Sequence, residues 1–225
     1  MVNNNIFNPM KRVYFLTFGL LLAVGAVTAQ INLRTYDKGV TINGVKWATR
    51  NVDKPGTFTA KPQDVGMFFQ WNRRAGWSAT DPMVNSDGGS TWEDSDETGV
   101  VWKKSNDPSP VGWRMPNFDD LKKLLDEEKV KSEWTTENGV NGRKFTDRTS
   151  GKSIFLPAAG FRTYFGDGVL NNAGTDGLYW SCTAHELYES DAYFLDFYNG
   201  GAAWRHSYGR KFGFSVGFSI RCVAE

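Results

Sequence analysis

Apolar residues recur along this chain in short runs broken by Gly, Asn, Ser and Asp, a pattern of strands and turns rather than long helices. Two β-type runs flank Asn43-Gly44 in Gly39-Val40-Thr41-Ile42-Asn43-Gly44-Val45-Lys46-Trp47, which predicts a hairpin. Residues 65–71 (VGMFFQW) are long enough for a buried strand and too short for a helix. Further strands are predicted at 153–158, 178–183, 192–197 and 212–223, with Asn138-Gly139 and Asn141-Gly142 marking a turn region. One helix is predicted over 118–131. Asn117 can cap it, Asp119 and Asp120 complement its positive end, and Leu121, Leu124, Leu125 and Val130 follow at helical spacing. Between them, 72–110 is a long irregular region pinned by Trp77, Trp92 and Trp102. One helix on a mainly antiparallel sheet with long loops is an α+β fold.

Alternation refines the picture in two places. In 192–197, Tyr193, Leu195 and Phe197 share one face while Phe194 and Asp196 share the other. The charge makes the first set the expected core face, so Phe194 is expected to point outward. The tandem Gly213-Phe214-Ser215-Val216 and Gly217-Phe218-Ser219-Ile220 inserts an even number of residues, which preserves the facing of the final strand.

The first residues have a different character. Met10-Lys11-Arg12 is a basic start, 13–27 is almost uninterruptedly apolar, and Val27-Thr28-Ala29 before Gln30 fits a small-residue cleavage site. Residues 1–29 therefore read as a secretory signal peptide and 30–39 as an extension before a domain over 40–225. Mass spectrometry of the exported protein should find Gln30 at the N-terminus, and an intact Met1 or Met10 outside the cell would overturn the cleavage. Export places the chain in an oxidising compartment, where its only two cysteines, Cys182 and Cys222, are candidates for a disulfide.

Composition narrows the chemistry. The 26 Lys+Arg nearly balance 25 Asp+Glu, which gives no basic footprint for nucleic acid or for a polybasic membrane signal. With 16 Phe, 9 Trp, 8 Tyr and only 2 His, the chain is rich in contact surface and poor in catalytic groups. No Gly-x-Ser-x-Gly elbow occurs, so a Ser/His/Asp hydrolase is not expected. The acidic run Glu93-Asp94-Ser95-Asp96-Glu97 lacks the spacing of a calcium loop and is expected to be a solvated loop. No cofactor and no metal site are expected.

Several segments, in order, resemble one family. They are Val45-Lys46-Trp47-Ala48-Thr49-Arg50-Asn51-Val52, Asp107-Pro108-Ser109-Pro110-Val111-Gly112-Trp113-Arg114-Met115-Pro116, Phe155-Leu156-Pro157-Ala158-Ala159-Gly160, Tyr179-Trp180-Ser181 and Ser219-Ile220-Arg221-Cys222-Val223. Together these are similar to the Fibrobacter succinogenes major paralogous domain, common in exported proteins of gut Bacteroidetes. That resemblance implies a C-type-lectin-like fold, shared with formylglycine-generating enzymes and with the variable proteins of diversity-generating retroelements. It also implies a ligand-display domain whose C-terminal strands and loops carry the variable surface. The resemblance further implies a cysteine near the Gly-Trp-Arg or Ala-Ala-Gly segment to pair with the final one; here those places hold Ser109 and Phe161. The sugar-binding tripeptides of calcium-dependent lectins are missing.

The stretch 185–210 mixes aromatic, Arg, His and small polar residues as binding surfaces do. The candidate ligand-binding residues are Phe194, Asp196, Tyr198, Trp204, Arg205, His206, Tyr208 and Arg210, set against the alternative of a merely solvated loop. The expected function is a secreted or surface-displayed, non-enzymatic binding domain for a glycan or protein ligand. The alternative is a structural subunit or tip of a cell-surface assembly.

Overall fold

A computed structural model of the protein describes residues 33–93, 95, 101–163, 167–187, 191–206, 213 and 215–225. Residues 1–29, expected to be a signal peptide, and Tyr208, Arg210 and Phe214 lie outside the described residues. In chain order the elements are β1 (Val40–Ile42), β2 (Val45–Trp47), β3 (Phe68–Gln70), β4 (Gly76–Trp77), β5 (Trp113–Arg114), α1 (Phe118–Leu124), β6 (Val130–Glu137) and β7 (Val140–Asp147). There follow β8 (Ser153–Pro157), β9 (Phe161–Arg162), β10 (Leu170–Asn171), β11 (Asp176–Ala184), β12 (Ala192–Tyr198), β13 (Gly201–His206), β14 (Gly217–Phe218) and β15 (Val223–Ala224). The fold is α+β.

Four sheets run β1-β2-β15-β5, β10-β9-β14-β3-β4, β11-β12-β13 and β6-β7-β8, with antiparallel pairing throughout the named strands. Asn43 (φ 46°) and Gly44 (φ 77°) turn the first hairpin, and Asn138 (φ 50°) and Gly139 (φ 83°) turn β6 into β7. Both turns need positive φ at two successive residues, which Asn-Gly supplies cheaply. The Asn117 side chain accepts from the Asp120 amide and Asp120 answers on the Asn117 amide, a reciprocal cap that starts α1 at the expected residue.

The helix ends sooner than its apolar spacing suggests. It stops at Leu124, the Val130 amide closes a turn onto the Asp126 carbonyl, and Val130 opens β6. Leu121, Leu124 and Val130 still reach one core, so the apolar spacing was met by a helix, a turn and a strand rather than by one helix. The expected strand over 212–223 is likewise broken into β14 and β15. In the loop region the tryptophans act as pins: Trp77 and Trp92 lie 5.0 Å apart, ring centre to ring centre, and Trp102 packs edge-on to Trp71 at 5.5 Å.

The β11-β12-β13 sheet is covered on both sides. One side carries Leu178, Trp180, Ala192 and Phe194 against Phe69, Trp71 and Phe218. The other carries Tyr179, Leu195 and Phe197 against Leu121, Phe145 and Val223. This corrects the outward facing expected of Phe194, which is 4% exposed and stands 4.9 Å from Phe218 and 5.9 Å from Trp180 between ring centres. The charge of Asp196 marks where that face reaches solvent, and two residues earlier the same face is core. Phe194→Ala should therefore cost about 3–5 kcal/mol of stability, measured by denaturant unfolding; a near-neutral result would restore the outward assignment.

Buried polar groups tie the loops to this core. Asp37, in the stretch before β1, accepts from the Gly39 and Thr49 amides, the Thr49 hydroxyl and the Arg50 guanidinium. Asp147 accepts from the amides of Asn43 (2.7 Å), Ser150 (2.7 Å) and Thr149 (3.0 Å) and so joins β7 to the first hairpin. These donors favour the carboxylate and hold its pKa at about 2. Because the folded pKa is depressed, the stabilisation is present above the ordinary carboxylate pKa and is lost as the pH falls toward 2. Asp147→Asn should lower stability at pH 7 and flatten its fall between about pH 5 and 2, measured as unfolding midpoints across that range.

Candidate ligand-binding cleft

Antiparallel pairing decides which of the candidate residues meet. Asp196 stands opposite Leu178 on β11 and Ala203 on β13, and Phe194 stands opposite Trp180 and Arg205. Cross-strand partners share a face, so Leu178, Phe194, Asp196 and Arg205 lie together. At this face the chain from β9 to the start of β11 adds Phe161, Asn172 and Asp176, and His206 closes the end. The result is a cleft of about 380 Å³.

Its floor is apolar and its rim polar. Phe161, Leu178 and Phe194 form the floor. On the rim, Arg205 Nε donates to Asp196 Oδ2 at 2.7 Å and Asn172 Nδ2 donates to Asp176 Oδ2 at 2.6 Å. Arg205 is largely exposed, so its remaining guanidinium donors are open to a ligand, and its exposed pairing with Asp196 adds little stability. An aromatic floor with carboxylate, amide and guanidinium groups at its edge suits a sugar ring or a short polar side chain.

Four of the expected residues thus line the cleft: Phe194 in its floor, Asp196 and Arg205 on its rim, and His206 at its end, where β13 pairs it with Tyr193 of the opposite face. Two others do not. Trp204, 45% exposed, pairs with Leu195 on the opposite side of the sheet and packs edge-on to Phe118 (5.0 Å) and Tyr193 (5.8 Å). Tyr198, 48% exposed, sits at the far end of β12 beyond the cleft. Tyr208 and Arg210 lie outside the described residues. Phe161, Asn172 and Asp176 were not anticipated, because β9 and the turn before β11 are distant in sequence from 185–210. Only the position of Phe161 after the Ala-Ala-Gly segment could have drawn attention to it.

Histidines and cysteines complete the inventory. His206 rests against His185, ring centres 4.3 Å apart, with Nδ1 3.5 Å from a carboxylate oxygen of buried Asp191. The expected Cys182–Cys222 disulfide is not formed, and both thiols are free. The Cys222 thiol faces another partner: its Sγ lies 3.1 Å from the Ser109 hydroxyl oxygen. Burial raises the pKa of both thiols above the ordinary range, which leaves them protonated and poor nucleophiles.

The distinctive segments are structural. Trp113 packs edge-on to Phe58 at 5.6 Å, and Arg114 pairs with Asp120 at 2.8 Å beneath the cap of α1. Trp180 donates to the Phe69 carbonyl and Trp71 to that of Ser181, which lock β3 to β11. The Glu93 carboxyl is held low by hydrogen bonds from Ser95 and the charge of Arg73. Asp94, Asp96 and Glu97 lie outside the described residues. Among the described residues no three His, Cys, Asp or Glu side chains gather as a metal site would require, and no helix is long and apolar enough to cross a membrane.

A family model described as "Domain of unknown function (DUF8237)" matches residues 126–222, a span that contains every residue lining the cleft. No curated protein and no solved structure matches the chain.

Proposed function

We propose that this chain is an exported, non-enzymatic binding domain that takes a glycan or protein ligand in the cleft of Phe161, Phe194, Asp196 and Arg205. The observation that carries the reading is the convergence of an aromatic floor with the Asp196–Arg205 and Asn172–Asp176 pairs in one sugar-sized hollow. The ordered segments similar to the paralogous domain family support it and supply the finer reading of a C-type-lectin-like fold. Buried, protonated thiols supply no activated nucleophile, in keeping with a binding role.

A glycan array and a peptide array against the mature chain test the reading. For a ligand found there, Arg205→Ala and Asp196→Ala should each weaken binding by about 1–3 kcal/mol while leaving the unfolding midpoint nearly unchanged. Unchanged affinity in both variants would remove the ligand from this cleft. The second reading, a subunit of a surface assembly, is favoured by exposed Tyr198 and Trp204, two aromatics on opposite sides of the sheet. Assembly that Trp204→Ala abolishes, followed by size-exclusion chromatography, would support that reading.

A further inference from the structure

A second hollow, of about 320 Å³, opens on the other side of the β11-β12-β13 sheet. The end of α1 (Leu124, Leu125) and Ala202 give it an apolar wall, and Gly200 and Gly201 bring bare backbone to its edge. Its charged groups come from three places: Lys131 at the start of β6, Arg143 on β7 and Arg148 just beyond β7. Against these three cations the lining offers one carboxylate, that of Glu127.

Arg143 is the unusual member. It is buried, its Nε donates to Ser132 Oγ at 2.5 Å and its Nη1 to the Tyr198 carbonyl at 2.9 Å. Nη2 makes no hydrogen bond to a described residue, and no carboxylate of a described residue lies within 4.0 Å of the guanidinium. Its pKa is lowered by burial alone, with no neighbouring charge contributing. Arg148 is exposed, is tethered by Nε to the Glu127 carbonyl at 3.0 Å, and likewise has no carboxylate partner within 4.0 Å among the described residues. Lys131 is held at the surface by Glu133 at 2.8 Å. A cation taken out of water without a counter-charge is costly, and the missing counter-charge is what an incoming anion supplies.

We propose that this hollow binds an oxyanion of the carboxylate or sulfate type, seated between Arg143 and Arg148 with Lys131 at the entrance. Arg143 arrives with two of its donor nitrogens already fixed on Ser132 and Tyr198, so its orientation is set before the ligand binds. A planar guanidinium matches a carboxylate or sulfate edge through paired N–H donors, and the apolar wall would take the carbon skeleton that bears the group. Such a group could arrive on an acidic sugar or as a free inorganic anion, and the two sources share the same recognition chemistry.

Calorimetric titration of the protein with galacturonate, galactose, sulfate and phosphate at low ionic strength tests this. Amide NMR of Gly200 and Gly201 locates the binding. The expected result is saturable binding of galacturonate or sulfate that shifts both glycine amides, weakens as sodium chloride is added, and is missing for galactose. Tighter binding of galacturonate would assign the source to an acidic sugar, and tighter binding of sulfate or phosphate to a free anion. Arg148→Ser, at an exposed position, should retain the fold and weaken binding about tenfold or more. Arg143→Lys should retain the charge but lose the paired donors, and so weaken binding as well. Equal binding of galactose, failure of every anion to saturate, or unchanged affinity in Arg148→Ser would each overturn the proposal.

Discussion

Arg221→Met should lower the stability of the protein by about 3 kcal/mol, and so its melting temperature by roughly 6–12 °C. The side chain is 1% exposed and holds two separate segments of the molecule, 48–51 and β8, through three neutral acceptors. Nε donates to Asn51 Oδ1 at 2.9 Å, Nη1 to the Ala48 carbonyl at 3.2 Å and Nη2 to the Phe155 carbonyl at 3.0 Å. Asn51 in turn donates to the Val65 carbonyl and to the Tyr179 hydroxyl, which itself donates to the Pro157 carbonyl at 2.8 Å. Burial pushes the Tyr179 pKa up to about 12, so it remains a donor throughout the physiological range. Methionine replaces the apolar stem of arginine but is shorter by the guanidinium and leaves three acceptors in the interior without their Arg221 donors, at about 1–3 kcal/mol each. Relief of the buried charge offsets part of that loss, which is why the expected net effect is nearer the cost of one or two acceptors. Denaturant unfolding of Arg221→Met, Asn51→Ala and the double variant gives the coupling directly. Strict additivity would show that the network is not a unit.

The second large effect has the opposite sign. Ser109→Cys should let a disulfide form with Cys222, because Ser109 Oγ already lies 3.1 Å from Cys222 Sγ in a partly buried contact. The bridge would close a loop on the order of 100 residues, which in the chain-entropy model contributes about 4.7 kcal/mol, reduced by any native-state strain. The midpoint of thermal unfolding should rise under non-reducing conditions and return to the parent value with a thiol reductant. Titration of the unfolded, unreduced variant should find Cys182 as its single free thiol. Three free thiols, or a reductant-independent midpoint, would show that the contact cannot close. Cys182→Ser in the same background should leave the gain intact, since the bridge joins position 109 to Cys222 and does not use Cys182.

The cysteines illustrate how composition and compartment can mislead about a pair. An expectation of export made a bond between two thiols reasonable to expect, yet the partner of Cys222 is Ser109, more than a hundred residues earlier in the chain. The family resemblance offered that position beside that of Phe161, and residue spacing alone offered neither. Phe194 makes the same point about faces. A period of two divides a strand into two sets of side chains, but it does not say whether the second set meets water or another layer. Here the other layer comes from Phe69, Trp71 and Phe218, none of them local to β12.

What the sequence determined by itself is what short-range physics decides. Asn43-Gly44 and Asn138-Gly139 impose positive φ and hence two hairpins, the reciprocal cap of Asn117 and Asp120 starts the helix, and the isolated Trp77, Trp92 and Trp102 pin the long loop region. The α+β class follows from those elements together. Tertiary structure decided where α1 stops and where Val130 enters a strand. It decided that one sheet is covered on both sides and that Trp204 turns away from Asp196 and Arg205. It also brought Phe161, Asn172 and Asp176 to the cleft, and left Arg143 buried without a counter-charge among the described residues. Each of these depends on which distant segment fills the space beside a residue, and no local pattern of apolar and polar positions encodes that.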